Sequence, residues 1–85
     1  MDCKHIPYTS VNQYTNGIVF YVSGTGEEIL TVLEYFPTAI CISVHNIKQI
    51  NAVQYLETHP SDIAEVYIIF NNEEEKATLF KLKYI

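Results

Sequence analysis

Apolar positions along this chain follow two rhythms, period two and period 3.6, which alternate from segment to segment. Ile18-Val19-Phe20-Tyr21-Val22 is an unbroken β-branched and aromatic run, the pattern of a well-buried strand. Upstream, residues 4 to 14 carry Ile6, Tyr8, Val11 and Tyr14, with Pro7 interrupting. Proline lacks the N–H that a central strand needs, so this segment reads as an edge strand. Asn16-Gly17 between the two runs is the strongest short hairpin signal, because both residues tolerate positive φ. Downstream the rhythm changes. Ile29, Leu33 and Phe36 recur at i, i+4 and i+7, Leu30 widens the stripe, and Glu27, Thr31, Glu34 and Tyr35 lie away from it. That spacing predicts an amphipathic helix over 26–36, and Pro37 ends it because the residue before a proline avoids the helical region.

Period two returns at 39–45, where Ile40, Ile42 and Val44 share one face and Cys41, Ser43 and His45 the other. Residues 47–58 read as a second helix, with Asn46 as its cap and Ile50, Ala52, Val53 and Leu56 forming a broad apolar arc. The chain closes, on this reading, with a hairpin over 65–84. Val66, Ile68 and Phe70 alternate on one strand, Phe80, Leu82 and Tyr84 on the other, and Glu73-Glu74-Glu75 fills a solvated loop between them. The expected order is β-β-α-β-α-β-β in a single α+β domain, residues 1–85. A mixed sheet of four or five strands carries one or two helices on one face. The 18–22 strand, the first helix and the 40–45 strand are expected to form a right-handed βαβ unit.

The junction Ser23-Gly24-Thr25-Gly26 joins a strand to a helix, which is where a phosphate-cradling loop would sit. A dinucleotide fingerprint needs a third glycine; that position holds Ile29, and no phosphate-loop lysine is present. Glu27 and Glu28 occupy the first turn, where carboxylates complement the helix dipole and repel a phosphate. Thr25 followed three residues later by Glu28 is a capping-box pattern. The junction is therefore read first as a cap, with a small-ligand or nucleotide site at Ser23, Gly24, Thr25 and Gly26 as the alternative.

Charge narrows the partners. Ten acidic residues stand against five lysines, with no arginine, for a formal charge of −5. Phosphate neutralisation supplies most nucleic-acid affinity, and arginine is the usual reader of phosphate and guanine, so direct nucleic-acid binding is not expected. No apolar run approaches the ~20 residues of a membrane span, and no basic-then-apolar leader pattern opens the sequence. Two cysteines, Cys3 and Cys41, make no disulfide framework, and reduced thiols fit a cytoplasmic protein.

Catalytic and metal-binding patterns are weak. Cys3, His5, Cys41 and His45 are ligand types for zinc, but Cys41 and His45 on one strand lie about 13 Å apart at ~3.3 Å per residue. No nucleophile-elbow or zinc-protease motif occurs. The expectation is no enzyme, no cofactor and no metal. Seven tyrosines exceed what a small core hides, and tyrosine is enriched at interface hot spots. The chain is therefore expected to be a small acidic protein-binding module. It would be an inhibitor or adaptor of the antitoxin, immunity or phage anti-defence type, docking on a larger, basic protein through Glu73, Glu74, Glu75, Tyr35 and Tyr55. Self-association through an open edge strand is the remaining alternative.

Overall fold

A computed structural model describes residues 1–7, 17–45 and 52–85. In chain order these form β1 (Asp2–Ile6), β2 (Ile18–Thr25), α1 (Gly26–Tyr35), β3 (Ile40–Ser43), α2 (Val53–Thr58), β4 (Ile63–Phe70) and α3 (Glu74–Tyr84). The fold is α+β, with four strands in the order β1-β2-β4-β3 and every neighbouring pair antiparallel. The Asn16 turn position, Tyr8, Val11 and Tyr14, and the Asn46 cap with Ile50 fall outside the described residues.

Patterning explains the strand order. β4 is apolar on both faces: Val66, Ile68 and Phe70 are buried on one, Ile69 on the other. A strand buried on both sides belongs in the middle of a sheet. β1, with Asp2, Lys4 and His5 exposed, takes an edge. β2 and β3 both run antiparallel to β4, so they are parallel to each other. The expected βαβ unit is thus split, with β4 inserted between its two strands rather than the strands pairing directly.

All three helices pack on one face. Ile29, Val32 and Phe36 from the α1 region, Ala52 and Leu56 from the α2 region, and Ala77 and Phe80 from α3 meet Phe20, Val22, Cys41, Val66, Ile68 and Phe70 from the sheet. Phe80 sits at the middle of an aromatic cluster, with ring centroids 4.5 Å from Phe20, 5.7 Å from Phe70 and 5.9 Å from Phe36. Such pairs add about 0.5–1.5 kcal/mol each beyond the area they bury.

The last element corrects the sequence expectation. Residues 77–84 are helical, not the second strand of a hairpin, so the order is β-β-α-β-α-β-α and the sheet is antiparallel rather than mixed. Alternation of Phe80, Leu82 and Tyr84 with lysines imitates a strand. The stretch is nevertheless built of strong helix formers: glutamate, lysine, alanine and leucine. Its inward residues, Ala77, Phe80 and Tyr84, fall at i, i+3 and i+7, while Leu82 points to solvent. Asn72, at φ 56°, makes the reversal between β4 and α3, in the left-handed region that asparagine tolerates.

Candidate functional site

The Ser23–Gly26 junction is a cap. Glu28 N–H donates to Thr25 Oγ1 at 3.1 Å, and Thr25 N–H donates to Glu28 Oε1 at 2.9 Å, completing the capping box. That backbone bond holds the Glu28 carboxyl below the usual glutamate range. The remaining first-turn amides are also committed: Gly26 N–H to the Asp62 carbonyl at 3.1 Å and Glu27 N–H to the Pro60 carbonyl at 3.0 Å. An anion would have to displace these bonds as well as pass two carboxylates. Neither Gly24 nor Gly26 has positive φ. Gly26 is needed for close approach instead, since a Cβ there would lie 2.6 Å from the His59 carbonyl oxygen and 2.8 Å from that of Leu56.

The five protein-binding candidates lie in different places. Glu73 is the residue before α3, where it accepts from Thr38 Oγ1 at 2.8 Å and pairs with Lys76 Nζ at 2.9 Å. The Lys76 bond, then Thr38, lowers its pKa. Glu74 and Glu75 occupy the first turn of α3 and are exposed, at a helix start rather than in a hairpin loop. With Asn72 they border a shallow hollow. Tyr35 ends α1, its ring 3.4 Å from Lys83 Nζ, and borders a separate groove with Leu79 and Leu82. Tyr55, on α2, stacks on His59 with centroids 4.3 Å apart.

Tyr55 also borders a cleft of about 320 Å³ between α2 and the start of β4. Ala52, Leu56 and Val66 are among its lining residues and are buried. Tyr55 and Ile63 stand at it 47% and 69% exposed. β3 ends at Ser43, opposite Val66, so Ile63–Glu65 of β4 extend past it. Beyond β3, His45 turns back, and its Nε2 lies 2.9 Å from Glu65 Oε1. The other Glu65 oxygen accepts a short hydrogen bond from the Tyr21 hydroxyl. One carboxylate therefore ties β2, β4 and the end of β3 together, on the sheet face away from the helices. The Tyr21 bond, then His45, holds the Glu65 carboxyl below its usual range, and the same bond raises the Tyr21 phenol.

Glu65 and Ile63 are absent from the sequence candidates, and His45 enters there only as a metal-ligand type. One signal for them existed: a lone carboxylate inside the otherwise apolar run Ile63-Ala64-Glu65-Val66-Tyr67-Ile68-Ile69-Phe70. Burial pushes the Cys41 thiol up to about 12 and raises that of Cys3, which disfavours the reactive thiolate. Among the described residues, no three His, Cys, Asp or Glu side chains converge in a metal-binding arrangement, and no helix is long and apolar enough to cross a membrane. Comparison with family models, curated proteins and solved structures finds no match to this chain.

Proposed function

We propose that this protein is a non-enzymatic docking module, an inhibitor or adaptor of the antitoxin, immunity or anti-defence type, whose partner is a larger basic protein. The observation that carries the reading is the α2–β4 cleft. It has an apolar floor, two exposed apolar residues at its border, Tyr55 and Ile63, and Glu65 among its lining residues. Protein interfaces are anchored in this way, by an apolar or aromatic group entering a pocket inside a polar border.

Charge supports the choice of partner. With ten acidic residues, five lysines and no arginine, the surface attracts lysine- and arginine-rich faces and accelerates their encounter. Glu65, among the cleft's lining residues, has both carboxylate oxygens engaged, by the Tyr21 hydroxyl and by His45.

The test is capture of the partner on immobilised protein from an extract of the source organism. Wild type should retain a basic protein of larger mass, with affinity falling as salt rises. The double variant Y55A/I63D should lose it while melting within a few degrees of wild type, because both side chains are already exposed. Retention by Y55A/I63D equal to wild type would move the interface away from the cleft. Binding insensitive to salt would remove the electrostatic part of the reading.

A further inference from the structure

The outer face of α3 is the one helical surface in the described residues that carries large apolar side chains into solvent at helical spacing. Leu79 is 56% exposed and Leu82 79%. Beside them Tyr35, at the end of α1, completes a groove of about 420 Å³ with Phe36 and Lys83. Single exposed leucines are ordinary, but a contiguous apolar patch marks an interaction surface. The same helix carries Glu74 and Glu75 in the first turn and Lys81 and Lys83 in the last, while Lys76, also in the first turn, is paired with Glu73 before the helix. The helix dipole accounts for that distribution; it does not account for leucines on the solvent side.

From these two features together we infer that the protein pairs with a second copy of itself through α3, the two helices antiparallel across a two-fold axis. An interface of this kind is made by one patch meeting itself, so it must be self-complementary. α3 meets that requirement. Glu75 and Lys83 stand four residues either side of Leu79, so they border the leucine stripe at its acidic and its basic end. Antiparallel pairing about the middle of α3 sets the acidic end of each copy against the basic end of the other. Leu79 and Leu82 of each copy then fill the groove beside Tyr35 of its mate. Parallel pairing would place like charges together, which is unfavourable. Eleven residues span ~16 Å at 1.5 Å per residue, a small interface, so the dimer is of the weak, concentration-dependent class. It leaves the α2–β4 cleft out of the pairing, and it stands whether or not that cleft binds a partner.

Sedimentation equilibrium over a concentration series tests the pairing. Wild type should pass from monomer to dimer mass as concentration rises, more readily at low salt. L79D/L82D should remain monomeric with an unchanged melting temperature. E74K/E75K and K81E/K83E should each weaken the dimer at least tenfold when alone, and their equimolar mixture should restore it as a heterodimer. That rescue separates a paired interface from simple loss of helix stability, which circular dichroism of each variant also monitors. A wild type that stays monomeric to millimolar concentration overturns the proposal. So does a dimer indifferent to L79D/L82D, or a mixture that fails to recover association. If L79D/L82D instead abolishes capture of the larger protein and wild type never dimerises, the α3 face belongs to that partner and the self-pairing is wrong.

Discussion

Thr25 does two things at one position: it ends β2 and it caps α1, so strand passes into helix with no loop between. Removing its hydroxyl leaves the Glu28 amide without its acceptor, and Thr25→Ala should cost about 1 kcal/mol, read as a lowered chemical-denaturation midpoint. Gly26→Ala should cost more, about 1–3 kcal/mol. Its Cβ would meet two backbone carbonyl oxygens, which cannot rotate away as a side chain can. A Gly26→Ala variant as stable as wild type would mean that the 56–60 segment yields easily. The cysteines differ in the same physical terms. Cys41 is buried and raised to about 12, Cys3 is raised less and partly exposed. A thiol-labelling time course at pH 8 should therefore show Cys3 reacting slowly and Cys41 only at the rate of unfolding.

At the scale of elements, the sheet is braced by Glu65 as well as by its ladder. Because the Glu65 carboxyl is lowered in the folded state, its contribution is present above the ordinary glutamate pKa and is lost as pH falls through the folded value. Thermal melts between pH 7 and pH 3 should show Y21F losing less stability on acidification than wild type, since it lacks the largest cause of the shift. An acid profile of Y21F that superimposes on wild type would show the bond to be energetically idle. The sequence foretells most of these elements but not all their neighbours. The 3.6-residue stripe of α1, the Thr25–Glu28 cap and the strands at 18–22 and 40–43 are legible because each is a local pattern. The insertion of β4 between β2 and β3 is a long-range choice, signalled only by its two apolar faces. In α3 the alternation of Phe80, Leu82 and Tyr84 imitates a strand and masks the helix propensity of its neighbours, although Leu82 faces solvent. The cleft was half legible, through Tyr55; Glu65, His45 and Ile63 come together only by tertiary pairing of strands whose separation in sequence hides it.

For the molecule as a whole, a chain of 85 residues buries only about 60–65% of its unfolded surface, and association adds to what so small a core supplies. The two faces argued above divide that role. α3 offers a self-complementary stripe and the α2–β4 cleft an apolar recess in an acidic surface, so a dimer would present two clefts to a partner. The most direct test of the docking account is a native mass spectrum of the protein gently purified from the organism that encodes it. The account predicts a complex containing a larger, basic protein, in equal numbers with this chain and absent from the Y55A/I63D preparation. A spectrum holding only this chain, or this chain with a bound mass of a few hundred daltons, would contradict it.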